Sequence, residues 1–311
     1  MSQDLDTERA SLFDRIFSRA PSYLRFIQDK PSWILMFLFG RTLVIRRFDR
    51  KLRARYAAPA PVPGPTVFRD VDRAACVRGL IDTGLAFGID LPAPVVDEIN
   101  TFANTHPCYS RDRQDRGFLP KDVAEANAER PNDVIAAYYF ENVQKCAAIR
   151  ALRNDSTLQS IARSYLGKTV LQSRVRMWWS FPAKRVTDAA LVDAAQEKFH
   201  FDMNGWRTLK FFFYLTPVTE SDGPHLGILG SHRRRAWRQQ LSLTVGRPTE
   251  ELESYYGKEK FVTILGGAGT GFAEDPFIFH AGTLCRDRPR LILELEFDQS
   301  ATTQDHYGRP L

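Results

Sequence analysis

The five residues Lys198-Phe-His-Phe-Asp202 constrain this chain more than any other stretch. His200 and Asp202 stand two apart, and on an extended backbone such residues point to one face. An imidazole and a carboxylate are therefore presented side by side. A histidine from a distant strand would complete the two-His-one-carboxylate set that holds non-haem Fe(II) on one side and leaves its other positions open. His280, in Asp275-Pro-Phe-Ile-Phe-His-Ala-Gly282, is the candidate for the third place. The aromatic run Lys210-Phe-Phe-Phe-Tyr-Leu215 that follows reads as a strand. Asp222-Gly223 then marks a turn.

Upstream, residues 6–58 read as helical. Leu12, Phe13, Ile16 and Phe17 form one face, and Pro21 and Pro31 interrupt the pattern. The apolar run from Trp33 to Phe39 stops at Gly40 and is too short to span a bilayer. Ile45, Phe48, Leu52 and Tyr56 then recur at helical spacing among arginines, an amphipathic basic helix. Residues 41–55 carry seven Arg and Lys against Asp49, which accounts for the whole formal charge of +6. The remainder is neutral overall, so the basic balance says little about the rest of the chain. One reading packs this arm (residues 1–58) on the catalytic domain or on a second subunit, making an oligomer. The other lays residues 33–56 on a membrane surface as a peripheral anchor. Nucleic acid is not an expected partner, because no base-stacking aromatics interleave the basic residues and no recognised module is present.

Residues 59–65, Pro-Ala-Pro-Val-Pro-Gly-Pro, form a stiff connector, and the catalytic domain is expected to occupy residues 66–311. The four cysteines lack CxxC spacing and fit reduced thiols of a cytoplasmic protein. The acidic start does not read as a secretory signal.

Within the domain, a strand or turn is expected around residues 84–89, then a helix over Val95, Val96, Ile99 and Phe102. Residues 111–117 read as a surface loop. Asp133 is placed as the cap of a helix running to about Arg150. Asp155 or Ser156 caps another that stops at Gly167. Strands dominate afterwards. Leu171, Ser173, Val175, Met177 and Trp179 alternate with Gln172, Arg174, Arg176 and Trp178. Residues 182–198, with a short helix through 189–195, and residues 233–260, with a helix from Thr249, interrupt the strands. Residues 261–265, 269–272, 277–280 and 291–297 read as the last strands. Helices first and strands after predict an α+β fold with a double-sheet jelly roll as core.

Several motifs now combine. His200-Phe-Asp202, Gly223-Pro224, Gly230-Ser-His232, His280-Ala-Gly282 and Arg288-Pro-Arg290 occur in the order that resembles the phytanoyl-CoA dioxygenase family of Fe(II)/2-oxoglutarate oxygenases. The resemblance covers residues 76–298 and is strongest over 199–298. It implies a double-stranded β-helix, a cupin-like jelly roll with flanking helices; the N-terminal helical arm and both interruptions of the strands fall outside the match. It implies that His200, Asp202 and His280 bind iron and that Arg290 pairs with the distal carboxylate of 2-oxoglutarate, O2 being the third reactant. The family often carries a serine two residues after the distal histidine. Gly282 stands there in this chain, Thr283 is its expected substitute, and Gln172 is counted with the co-substrate contacts. Because Asp202 is present, hydroxylation of a C–H bond, or desaturation or cyclisation, is favoured over halogenation. The substrate is expected to be a small molecule, lipid-like or sugar-like and anionic. Asn204, Trp206, Lys210 and Trp178 are the expected lining.

The remaining histidines are read as structural: His225 and His232 as hydrogen-bonding groups in turns, His106 and His306 as surface residues. The competing reading is a jelly-roll protein that binds a ligand without turnover.

Overall fold

The chain's computed structural model describes residues 32–54, 62–167, 171–186, 198–203, 205–241 and 246–298. Among the described residues, nine strands form two antiparallel sheets. They are β1 (Leu85–Phe87), β2 (Ala136–Tyr138), β3 (Leu171–Ser180), β4 (Thr208–Tyr214), β5 (His225–Ile228), β6 (Phe261–Ile264), β7 (Gly271–Glu274), β8 (His280–Gly282) and β9 (Arg290–Asp298). The major sheet runs β1-β7-β4-β9-β3-β2 and the minor sheet β6-β5-β8. Strands adjacent in space are mostly distant in sequence, as a jelly roll requires.

Alternation along the strands divides the interior into layers. On β3, β4 and β9, Met177, Trp179, Leu209, Phe211, Phe213, Leu291, Leu293, Leu295 and Phe297 face the helices and form the main core with them. The opposite faces of these strands, with Phe272 of β7, meet the minor sheet in a smaller cluster that includes Phe212, Tyr214, Ile264, Ile278 and Ile292. The α+β jelly roll expected from the strand pattern is therefore the fold.

Three local expectations change. A helix over Arg73–Asp82, capped by Asp72 through Ala75 N, precedes β1 and was not foreseen. The helix expected from Asp133 to about Arg150 is absent. Residues 136–138 instead pair with Trp178, Trp179 and Ser180 as edge strand β2, and a 3-10 turn and a short helix (Ala147–Arg153) follow. Asp133 accepts from Lys184 N (2.8 Å) and Arg185 N (2.9 Å). Pairing with an already formed sheet overrides local helix propensity here. The strand expected over 277–280 begins instead at His280, because Asp275 N donates to Gly84 O and Ile278 N to Asp275 O in the preceding turn.

Other readings hold. Asp155 caps the helix Ser156–Leu166 through Thr157 N (2.8 Å) and Leu158 N (3.2 Å), and Gly167 ends it with a positive φ of 108°. The same carboxylate accepts from Val67 N (2.8 Å) and so ties the chain after the proline-rich connector to the helical layer. A helix does start at Thr249, spanning Thr249–Tyr256. Residues 1–31, 55–61, 187–197 and 299–311 lie outside the described residues, with most of the expected arm, the expected helix through 189–195, and His306. The described part of the arm forms two helices, Ser32–Phe39 and Leu43–Ala54, packed on the outer face of the minor sheet through Met36 and Leu43.

Candidate active site between the two sheets

The minor sheet brings the three expected ligands together. His200 N donates to His280 O (2.9 Å) and His280 N to His200 O (2.8 Å), an antiparallel bridge that places one histidine beside the other. Asp202 N donates to Pro276 O (2.7 Å). The stretch around His200 is thus an extended edge beside β8 rather than a full strand, and it keeps both side chains on one face. Gly205 follows because Asp298 packs where its Cβ would stand.

His200 Nε2 lies 3.8 Å from Asp202 Oδ1, and His280 Nε2 lies 4.0 Å from Asp202 Oδ2. One donor atom from each of the three residues falls within 4.8 Å of the others, close enough to share one metal ion. Both rings are oriented from behind. His200 Nδ1 meets Lys198 O (3.1 Å), and His280 Nδ1 meets Ile278 O (3.2 Å) and Glu274 Oε1 (3.4 Å). Such partners fix the tautomer that leaves Nε2 free to ligate. Burial lowers the His280 pKa to about 4, against the pull of Glu274, so the ring is neutral at pH 7 and available to a metal.

Glu274 was not anticipated. It is fully buried at the end of β7, and burial raises its pKa to about 7 although His280 and Lys210 oppose this. Its other oxygen lies 2.7 Å from His225 Nε2. Burial, assisted by the Arg290 charge, lowers His225 to about 3, so His225 is a neutral ring. His225 therefore backs the site through Glu274, consistent with a structural role. His232 meets Ile81 O (3.2 Å), and His106 stacks on Phe102.

Lys210 is nearly inaccessible and touches three carboxylates: Asp202 Oδ2 at 2.5 Å, and Glu294 and Glu296 at 3.8 Å each. Burial disfavours its cation, but the surrounding carboxylates more than offset this and hold its pKa above the ordinary lysine value. Arg176 grips Glu294 through both oxygens (2.6 and 2.7 Å among its contacts), and Arg174 lies 4.0 Å from Glu296. A buried network of opposite charges thus runs across β3, β9 and β4 to the Asp202 carboxylate. Lys210 donates to Oδ2, which lies 4.0 Å from His280 Nε2, while Oδ1 lies 3.8 Å from His200 Nε2.

Arg290 begins β9 on the same face as Ile292, Glu294 and Glu296. Its guanidinium donates to Gly223 O and to Ser180 Oγ (3.1 Å for the latter), and its Nε is buried without a partner. An orphaned donor on a buried guanidinium suits a carboxylate guest. Gly223 adopts a positive φ of 75°, and a Cβ there would press on Cys285 Sγ, so glycine suits this tight turn. Asp222 clamps the turn by accepting from Arg288 Nη2 (2.6 Å) and Thr219 N (3.0 Å).

Those bonds, Arg288's foremost, hold the Asp222 carboxyl below the usual carboxylate range. A lowered pKa adds stability that is present above the unfolded value of about 4 and is lost as pH falls through the folded value. Asp222→Ala is expected to lower the melting temperature by several degrees at pH 7. The gap from the wild type should narrow as pH drops below about 4. Melting curves across that range check it, and a gap that does not change with pH would contradict the assignment.

The other expected residues divide. Thr283 donates its hydroxyl to Pro224 O (2.7 Å) and so ties β8 to the turn under Arg290. Trp178 lies on the site-facing side of β3, opposite Ile292 and stacked on Tyr138 (centroids 6.1 Å apart). Trp206 packs with the arm cluster instead, its carbonyl accepting from Arg46 Nη1 (3.1 Å). Asn204 and the side chain of Gln172 lie outside the described residues. The charges opposite Lys210 had a signal in the sequence: Arg174 and Arg176 on the polar side of β3 match Glu296 and Glu294 on β9, and they prove to be register partners.

No protein-family model and no curated protein matches the sequence. Solved structures do resemble the fold. The epimerase SnoN, solved with Fe3+, alpha ketoglutarate and nogalamycin RO, aligns over 77% of this chain and 90% of its own, at 14% identity and a TM-score of 0.52. EctD from S. alaskensis, in its apoform, aligns over 81% of this chain and 85% of its own, at 18% identity and a TM-score of 0.50. At such identities the likeness establishes the jelly roll.

Proposed function

We propose that the chain is an Fe(II)- and 2-oxoglutarate-dependent oxygenase whose iron ligands are His200, Asp202 and His280. The observation that carries this reading is the convergence of those three donors between the sheets of a jelly roll. Arg290 on β9 offers an unpartnered donor on the site-facing side. SnoN, which shares the fold, was solved with Fe3+ and alpha ketoglutarate. The donor set fits iron: two imidazoles and one carboxylate hold the metal while leaving positions open. Bound iron would supply oxygen activation driven by decarboxylation of 2-oxoglutarate.

The chain's own contribution is orientation. Glu274 and the Ile278 carbonyl aim His280, and the Lys198 carbonyl aims His200. Lys210 donates to Asp202 Oδ2 and so holds the carboxylate in place. Arg290, stiffened by Gly223 and Ser180, receives the distal carboxylate of 2-oxoglutarate. Hydroxylation of a C–H bond is the favoured outcome, with desaturation and cyclisation using the same ligands. The substrate seat extends along Trp178 to Tyr138, where the Arg111 guanidinium lies 4.6 Å over the Tyr138 ring. Flat apolar surface beside a cation favours a small organic molecule bearing an anionic group.

Anaerobic addition of Fe(II) and 2-oxoglutarate is expected to give the visible charge-transfer absorption of the chelate, and His200→Ala should abolish it. Succinate release over a panel of metabolites would then identify the substrate. One observation favours a second reading, a binding protein without turnover: the short Lys210–Asp202 ion pair, which an arriving metal must share. Absence of the absorption band at saturating Fe(II) would decide for it.

A further inference from the structure

The structure points to an anionic membrane surface as the partner of the face formed by the N-terminal arm and the helix Trp237–Leu241. Among the described residues, ten large apolar side chains are exposed, and seven of them lie in these two segments. Leu35, Leu38 and Phe39 share one exposed face of the helix Ser32–Phe39, and Met36 beside that face is buried. Val44 and Phe48, four apart, share an outward face of the next helix, and Phe48 is 64% exposed. Trp237 and Leu241, also four apart, face out from their helix, while Gln239 and Gln240 between them are buried.

The segments are distant in sequence but locked together. Leu43 N donates to Gln240 Oε1 (2.8 Å), and Arg47 Nη2 donates to Arg233 O (2.8 Å). The arm is anchored beneath by Arg46, whose guanidinium lies 3.5 Å over the Phe277 ring, and the neighbouring Arg235 sits over Phe201 and Phe277 at 4.1 Å each. The apolar face is therefore held outward rather than folded in.

Its charge selects the occupant. Arg47, Arg233, Arg234 and Arg238 are exposed around the patch, and residues 41–55 carry the whole net positive charge of the chain. Exposed Phe, Trp and Leu ringed by arginine fit the headgroup boundary of an anionic bilayer, with apolar groups entering and guanidinium groups staying at the phosphates. No helix among the described residues is long and apolar enough to cross a membrane, so contact is interfacial.

The test is co-sedimentation of the full chain with phosphatidylcholine vesicles, with and without about one third phosphatidylserine. Binding is expected only to the anionic vesicles and should weaken with salt. The paired substitutions Val44→Ser with Phe48→Ser, and Trp237→Ser with Leu241→Ser, are each expected to lower partitioning about tenfold. Phe87→Ser with Leu265→Ser, exposed outside these segments, should leave it unchanged. Should a variant misfold, Leu241→Cys carrying an environment-sensitive dye serves instead. The four native cysteines are buried, and the dye emission should shift to the blue on anionic vesicles only. Failure to bind anionic vesicles overturns the proposal. So does binding that the patch substitutions leave intact, which would assign the contact to residues 1–31 or to charge alone. Self-association that they abolish, without vesicle binding, would instead assign the face to a second copy of the chain.

Discussion

Lys210→Met is expected to destabilise the protein by about 3–5 kcal/mol, the cost of leaving buried charge uncompensated. Methionine keeps most of the length and the apolar stem, so the loss reads charge rather than volume. Three carboxylates lie within 4 Å of the Lys210 ammonium, and none of them is solvated enough to lose it cheaply. Arg176 and Arg174 remain for Glu294 and Glu296, whereas Asp202 loses its closest cation. Urea denaturation at pH 7 measures the loss. Adding Glu296→Gln should restore part of it, because the two positions share one network and their effects do not add. A loss below about 1 kcal/mol would show that the carboxylates take up protons instead of relying on Lys210.

Arg290→Lys is expected to weaken 2-oxoglutarate binding by about 30- to 1,000-fold while leaving Fe(II) affinity within a few-fold. Lysine retains the charge but loses the fork that engages a carboxylate through two bonds. Breaking one side of a buried hydrogen-bonded charge pair costs about 2–4 kcal/mol, which corresponds to that range. Anaerobic titration of the chelate absorption with 2-oxoglutarate separates the two affinities. An unchanged 2-oxoglutarate midpoint would remove Arg290 from the co-substrate site and leave its buried Nε without a guest.

How much of this was legible beforehand depends on the span of each interaction. The spacing of His200 and Asp202 is local, and it survives although the expected strand shrinks to a bridge. Arg290 was singled out by the resemblance, whereas alternation along its strand alone would fit a solvent face; the structure buries that face. Glu274 was not. The strand was expected to end before it, and its partners His225 and His280 arrive from the other sheet. Lys210 was legible as a neighbour of the site, but not as the centre of a charge network, because its partners come from two separate segments. Residues 136–138 misled for a related reason: their conformation is set by β3, which lies over thirty residues later. Trp206 misled in the opposite direction. It is close to the ligands in sequence, yet it packs with the arm cluster.

The charge pairs between β3 and β9 also act as a ruler. Two strands that each show an apolar face to the helices could slide by two residues and keep that face apolar. In this pair such a slide would bring Glu294 opposite Trp178, or Arg176 opposite Ile292, and leave a buried charge facing a side chain that cannot answer it. The observed register, Arg174 to Glu296 and Arg176 to Glu294, avoids that cost. It also fixes how far along the sheet β9 begins, and hence where Arg290 stands relative to the histidines. The distance between the metal site and its carboxylate clamp is thus set by the pairing of charges that touch neither the metal nor the clamp.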